Sequence, residues 1–404
     1  MKSNAARALA SIALCALGII ASGCGDKVIP IGAILPITGD DAVYGEPVKK
    51  GIELAYEEIQ ANPDYATKMV LTVVDSASDS EKAKEQLAAQ YDAGALLAIG
   101  GITSSEAKAM IAVAERYDKV LVSPTASAPE LSGLSRSFYR IWPSDFAAAS
   151  RMAQFVSRDL EIDEVVVVAA EAHEYAMGIQ GAFLSAYEGL DGKVVETIEF
   201  PEHTSDFSGL LDRVMTLAPK AVYLTAYGEA IGQMITELRN RGYDGKILTT
   251  SAFASPRFIV PVGDAAQGVI LTQTVFELDS DYAHIRNFVT RFRAKYGEDP
   301  DIFAAHGYDV MKIVAEAVQG RPPIPSEVPK GLRDIEDFPG VTGSIKFNEK
   351  GDVLKFPRVY IIGRDLLLYD YTERVRQQQD EIKKRREELK RKLEEIQRKA
   401  KQIG

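Results

Sequence analysis

From residue 28 the chain alternates short apolar runs with amphipathic stretches, and near residue 164 the alternation starts afresh. The runs at 28–35, 69–75, 95–100 and 119–123 are apolar or β-branched and short enough to be strands. Between them, 45–60, 80–91 and 105–117 have helical spacing. In the first of these, Val48, Ile52, Ala55, Tyr56 and Ile59 form one apolar stripe. Strands that alternate with helices bury both kinds of surface in a parallel sheet with helices on its two faces.

The second series repeats the arrangement. Strands are expected at 164–170, 193–200, 221–226 and 246–250, and helices at 175–187, 206–216 and 229–241. Two such units are expected to form two lobes. Their junction falls at 138–145, where Pro143 bars a continuous helix and Ser144 or Asp145 can cap the next one. The rest of the chain offers a strand at 268–274, helices at 281–296 and 303–319, and strands at 343–347 and 356–362 joined by a polar turn at 348–351. This is too little for a third domain. The expectation is that it completes the two lobes, so the chain passes between them more than once and builds a hinge.

The first 23 residues differ in kind. A basic start with Lys2 and Arg7 precedes an apolar stretch at 9–20, then Ala21-Ser22-Gly23 and Cys24. The apolar stretch is too short for a stable membrane span, and the order is that of an export leader. Small residues directly before a Cys resemble a bacterial lipobox, with Ala21 at its first position. In that motif Cys24 becomes the lipidated first residue, and Gly25 after it points to the outer membrane rather than the inner. Both cysteines, Cys15 and Cys24, lie here, so no disulfide is expected in the body.

Charge divides the chain further. The net charge is −11, yet residues 371–404 hold twelve Lys/Arg against seven Asp/Glu. The acidic body does not suit nucleic acid. The tail has neither Gly nor Pro before its last residue, and Val375, Ile382, Leu389, Ile396 and Ile403 recur every seven residues. The companion positions are Gln379, Arg386, Leu393 and Ala400. A seam of this kind suits self-association or a protein partner, and a solvated helix held by Glu–Lys pairs is the other reading.

Catalytic constellations are missing from the sequence. His173, His203, His284 and His306 stand apart, without metal-ligand spacing, and no cofactor or metal is expected. There is no GxSxG elbow, no body cysteine and no phosphate-binding glycine loop, so the chain is not read as an enzyme. Asp75, Asp79 and Glu81 only loosely mimic a calcium loop, and a helix N-terminus explains them better.

Hydroxyl residues cluster instead where strands end. Ile102-Thr103-Ser104-Ser105 follows the third strand, and Ser123-Pro124-Thr125-Ala126-Ser127 ends the fourth. Such loops lie at the carboxyl edge of a parallel sheet, where open α/β folds bind ligands, and helix N-termini there favour anions. Tyr44, Tyr175 and Tyr227 also fall after strands.

On these residues the chain resembles the periplasmic leucine/isoleucine/valine-binding proteins of branched-chain amino-acid ABC transporters. The likeness runs from about 28 to 369. It rests on ordered motifs, among them Ile34-Leu35-Pro36-Ile37-Thr38-Gly39, Tyr44-Gly45, Pro129-Glu130-Leu131, Asp206-Phe207-Ser208, Gly263-Asp264-Ala265-Ala266-Gln267-Gly268 and Gly307-Tyr308-Asp309. The resemblance implies an α/β, two-lobed type I periplasmic-binding fold with three crossings. One lobe is 24–141 with 272–340, the other 142–271 with 341–370, behind a leader at 1–23 and before a helical or coiled-coil tail at 371–404. It also implies that Ser104 and Ser127, beside the Ala126 backbone, hold a ligand carboxylate and that Tyr44, Tyr175 and Tyr227 form aromatic walls. The family's acid for the ligand ammonium falls at Ser251, where Glu171, Glu174 or Glu229 would have to substitute. The family's disulfide falls at Ser78 and Thr103. The function so implied is a lipid-anchored periplasmic binding protein that passes a small carboxylate or amino-acid-like solute to an ABC permease. A second reading is an envelope lipoprotein that uses the same fold to regulate a protein partner such as a peptidoglycan synthase.

Overall fold

A computed structural model describes residues 28–65, 67–171, 173–201 and 203–403. The expected leader and Cys24 lie outside the described residues. The first series forms β1 (Ile29–Leu35), α1 (Ala42–Ala61), β2 (Met69–Asp75), α2 (Ser80–Asp92), β3 (Leu97–Gly100), α3 (Ser104–Arg116), β4 (Val120–Ser123) and β5 (Phe138–Arg140). All five strands are parallel, in the order β2-β1-β3-β4-β5. Four of these strands, all but β2, are almost wholly buried, as runs between two helix layers must be.

The second series forms α4 (Asp145–Gln154), β6 (Glu164–Ala170), α5 (Glu174–Glu188), β7 (Lys193–Phe200), α6 (Ser208–Leu217), β8 (Ala221–Thr225), α7 (Gly228–Asn240), β9 (Lys246–Thr249), α8 (Pro256–Val262) and β10 (Ile270–Gln273). Ser144 caps α4 through the Phe146 N–H, just past Pro143. The chain then supplies α9 (Ala283–Tyr296), α10 (Ile302–Val318), α11 (Val328–Arg333), β11 (Phe338–Gly340), β12 (Gly343–Ile345), β13 (Arg358–Ile362), β14 (Leu368–Asp370) and α12 (Tyr371–Ile403). The second sheet has the order β14-β13-β10-β9-β8-β6-β7, with β13 antiparallel to both of its neighbours. The fold is thus α/β and two-lobed, each lobe a largely parallel sheet flanked by helices.

Helices α9 and α10 return to the first lobe. Gly51 of α1 and Gly307 of α10 let these helices touch backbone to backbone: a Cβ on Gly51 would lie 2.0 Å from the Ala304 carbonyl oxygen, and one on Gly307 2.2 Å from that of Val48. No other residue fits a contact so close.

The expected strands on either side of the turn at 348–351 lie in different sheets. β12 pairs with β11, and β13 with β10 and β14. Asn348 closes the intervening turn by accepting from the Lys350 and Asp352 N–H groups. The chain is then drawn to the first sheet. The Arg140 N–H donates to the Gly351 carbonyl at 3.0 Å, and the Val353 N–H to that of Arg140 at 3.1 Å. Between them the Arg140 guanidinium, fully buried, meets Asp352 at 2.6 Å. The passage to the second lobe therefore comes after Val353, later than the expected junction at 341.

Ser78 and Thr103, the expected places of the family disulfide, have other partners. The Ser78 hydroxyl accepts from the Asp41 N–H and donates to the Thr38 carbonyl, while Thr103 caps α3. Asp79 caps α2 through the N–H groups of Glu81 and Lys82, as a helix-start reading of these acids requires.

Candidate ligand-binding cleft

The loops at the carboxyl ends of both parallel sheets face each other. Between them lies a cavity of about 40 Å³ lined by Tyr44, Ile102, Thr103, Ser104, Thr125, Ser127, Trp142, Tyr175, Tyr227, Ser251, Ala252 and Phe303. Six of the seven residues expected to contact a ligand are in this lining. Ala126 is not. Its N–H donates to the Ser123 hydroxyl at 2.9 Å and its methyl packs in the first-lobe core, because the Ser123 hydroxyl gathers the turn that follows β4.

The polar end of the cavity is built by α3. Thr103 is its N-cap and Ser104 its first residue, so the positive end of the helix dipole lies at the Ser104 hydroxyl. That hydroxyl accepts from the N–H groups of Ser127 and Ala128, at 3.3 and 3.1 Å, which pins the β4 loop beside it. With the oxygen so used, its proton is free to donate into the cavity. Ser127 is fixed from behind, its carbonyl accepting the Asp145 N–H at 2.8 Å.

The walls are aromatic. Tyr175 and Tyr227 stack at 5.5 Å, and Tyr44 lies 5.4 Å from Tyr227 and 5.0 Å from Phe303. Trp142 stacks on Phe303 at 5.6 Å and meets His306 at 4.2 Å. Burial drives the phenol pKa of Tyr44, Tyr175 and Tyr227 upward, so all three are neutral. The Tyr175 hydroxyl donates to Thr250 at 2.6 Å, whereas the Tyr227 hydroxyl is buried without a hydrogen-bond partner among the described residues. A buried unpaired hydroxyl in a cavity wall is an open invitation to a ligand oxygen.

The lobes meet around this space. The Tyr44 hydroxyl accepts from the Gly228 N–H at 2.9 Å and donates to the Ala252 carbonyl at 3.4 Å. Lys108 of α3 pairs with Glu174 of α5 at 2.5 Å, and Ser255 donates to Asp301 at 2.7 Å. Trp142 and Phe303 complete the wall from the first crossing and from the start of α10. Their sequence signal is slight: Trp142 is the single tryptophan, set against Pro143, and Phe303 follows the Asp301 cap.

Among the described residues, no carboxylate lines the cavity. Glu174 is engaged with Lys108, Glu229 faces a separate outer groove with Arg257 and Asp40, and Glu171 is exposed. Ser251 is buried at the position where an acid was expected. Two acids sit just behind the lining. Glu106 accepts from the Ser76 hydroxyl at 2.6 Å, and Asp145 lies beside the Ser127 hydroxyl with neither carboxyl oxygen in a well-formed hydrogen bond. Burial raises both to about 7. Among the described residues, no group of three or more His, Cys, Asp or Glu side chains is placed to hold a metal.

A model of the periplasmic binding protein family matches residues 28–356. The leucine-, isoleucine-, valine-, threonine- and alanine-binding protein of Pseudomonas aeruginosa is 23% identical over 348 residues, 85% of this chain and 92% of that one. Leu/Ile/Val-binding protein homolog 3 of Brucella melitensis is 25% identical over 354 residues, 85% and 94% of the two chains. Among solved structures, the leucine-binding protein LivK of Thermotoga maritima superposes with a TM-score of 0.77 at 27% identity, covering 83% of this chain and 95% of its own. The branched-chain amino-acid transporter substrate-binding protein LivJ of Streptococcus pneumoniae, in complex with isoleucine, gives 0.78 at 25% identity, covering 85% and 100%. Two lobes, a cleft between the strand ends and a match through both lobes agree, and this chain belongs to the family of periplasmic binding proteins.

Proposed function

We propose that this chain is the substrate-binding component of an ABC transporter and captures a small carboxylate in the cleft, with acids that lack an α-amino group bound best. The observation that carries the reading is the asymmetry of the cavity. Ser104 and Ser127 meet at the start of α3, a place suited to an anion, while among the described residues no carboxylate lines the space to receive an ammonium. An ammonium buried without an acid costs several kcal/mol. The relatives named above are binding proteins for branched-chain and small amino acids, which supports a solute of amino-acid size and shape. Closure over the solute uses the three crossings, and contacts from both lobes favour the closed form. No chemical change of the solute belongs to this reading. Cys24 is the proposed lipid attachment site, holding the protein in the periplasm at the outer membrane.

The test is calorimetric titration of the mature protein with matched pairs: propionate against alanine, 3-methylbutanoate against valine, 4-methylpentanoate against leucine. The deaminated acid of a pair is expected to bind at least about 100-fold tighter, the worth of roughly 3 kcal/mol. An amino acid that binds tighter than its deaminated partner overturns the reading of the site. Failure of every acid and amide in a broad set to bind overturns the transport reading and leaves the regulatory one. The Ser104→Ala/Ser127→Ala double variant is expected to lose carboxylate binding. A Cys24→Ala variant is expected to leave the membrane fraction.

A further inference from the structure

Helix α12 leaves the second lobe after its first turn. Tyr371 packs on Phe155 at 4.6 Å, and from Arg376 onward every residue whose side chain is described is exposed, Leu389 at 62% among them. Nothing in the cleft reading uses this helix. Its sequence is nonetheless ordered by heptads, with the strictly apolar column Val375, Ile382, Leu389, Ile396 and Ile403 taken as position d.

The charges sort by the same register. Position e holds Arg376, Lys383 and Lys390, then Gln397. Position g holds Gln378, then Arg385, Lys392 and Lys399. Every acid of the tail, from Glu373 to Glu395, falls at b or c. The seam is therefore flanked by basic residues on both sides and by no acid on either.

Three consequences follow from this sorting. A second copy of the chain is a poor partner. Parallel pairing sets Arg385 against Lys390, and antiparallel pairing sets e against e and g against g, so both put like charges together. Arg386, at position a, would also face its own copy in a parallel pair. An anionic membrane is a poor partner too. The neighbouring column is broken by Gln379 and Arg386, so the apolar stripe is one column wide over the first half of the tail and widens only at Leu393 and Ala400, and the tail has no Trp or Phe. A helix that carries acids at its own e and g positions meets both needs, covering the apolar column and pairing both basic flanks.

We infer that the tail docks an acidic heptad helix of another protein, so that the binding protein is tethered to a partner through a mixed coiled coil independent of the cleft. The test uses the mature full-length chain and, as probe, a synthetic helical peptide of about five heptads with Leu at a and d and Glu at e and g. By fluorescence anisotropy it is expected to bind with micromolar affinity, weakening about tenfold or more between low and high salt because the contacts are charge pairs. The variant Lys383→Glu/Arg385→Glu/Lys390→Glu/Lys392→Glu is expected to abolish binding, as is Leu389→Asp, and a peptide with Lys at e and g is expected not to bind. All the substituted residues are exposed, so the lobes keep their fold. Absence of peptide binding at about 100 μM overturns the inference. So does a tail-dependent dimer of the protein alone in sedimentation, or pelleting with phosphatidylglycerol vesicles that survives Leu389→Asp.

Discussion

The Tyr44 hydroxyl sits between the two lobes, accepting from the Gly228 N–H at 2.9 Å and donating to the Ala252 carbonyl at 3.4 Å. Gly228 opens α7 and Ala252 lies just after β9, so one side chain of the first lobe serves two loops of the second. The Tyr44→Phe variant keeps the ring against Tyr227 and Phe303 but leaves the buried Gly228 N–H unpaired. Such a loss costs about 1–3 kcal/mol, all of it in the closed form. Ligand affinity is expected to fall about tenfold or more, with little change in the unfolding midpoint of the ligand-free protein. Titration calorimetry beside thermal unfolding separates the two. A destabilised fold with unchanged affinity would place Tyr44 in the core alone.

Arg140 and Asp352 join β5 to the chain just before its last passage between lobes. The guanidinium is fully buried, donates to Asp352 at 2.6 Å and to the Ala128 carbonyl at 2.8 Å, and so links the hinge to the loop that carries Ser127. Removing one partner of such a pair leaves a buried charge, at a cost of about 3–5 kcal/mol. Asp352→Ala is expected to lower the denaturation midpoint accordingly and to weaken ligand binding as well. Arg140→Met/Asp352→Leu is expected to recover most of the stability and not the affinity. Denaturant unfolding of the three proteins checks this.

Burial raises the carboxyl groups of Asp145 and Glu106 to about 7, and the unfolded groups titrate near 4. Between pH about 4 and 7 the folded protein therefore holds protons that the unfolded chain has released. Stability from these groups falls as pH rises through that window and is fully lost above it. Asp145→Asn removes one of the two contributions without changing shape. The variant is expected to match the parent near pH 4 and to be more stable by a few kcal/mol above pH about 7. His306, held neutral by burial, acts in the opposite sense below about pH 6.5 in both proteins and cancels from the difference. Chemical denaturation across the range, with a gap that fails to open toward high pH, would remove Asp145 from this role.

Much of this was legible in the sequence because the signals are local. The expected strands at 69–75, 164–170 and 193–200 match β2, β6 and β7, since apolar runs between turn formers leave the backbone little choice. Loops after parallel strands gather at one edge, so the hydroxyl loops that hold Ser104 and Ser127 and the residues Tyr44, Tyr175 and Tyr227 are brought together by topology, while Ser251 was placed there by the family resemblance. What was missed depends on contacts far apart in the chain. Phe303 reaches the cleft only because α10 packs on α1, some 250 residues earlier, and Ala126 turns away because one hydroxyl, that of Ser123, gathers its loop. The strands on either side of 348–351 belong to different sheets, and Asp352 between them pairs with Arg140, a partner that no local pattern announces.

The contact between α1 and α10 offers the sharpest test of how the scaffold positions the cleft. A methyl group on Gly51 would stand 2.0 Å from the Ala304 carbonyl oxygen and 2.6 Å from the Tyr308 backbone nitrogen, so α10 must move away. Overpacking in a core costs about 1–3 kcal/mol, and a clash against backbone has no rotamer to relieve it. Gly51→Ala is therefore expected to destabilise the protein by that amount or more. Phe303 stands at the start of α10 and carries both Tyr44 and Trp142 on its ring, so the same shift reshapes the aromatic wall. Affinity for the bound acid is expected to fall although Gly51 touches no part of the cavity. The single tryptophan, Trp142, reports the change directly, because its fluorescence depends on the ring stacked against it. An altered emission spectrum in the folded variant, together with weakened binding, is the expected pair of results. Destabilisation with an unaltered spectrum and full affinity would show that the helix contact supports the fold without setting the cleft.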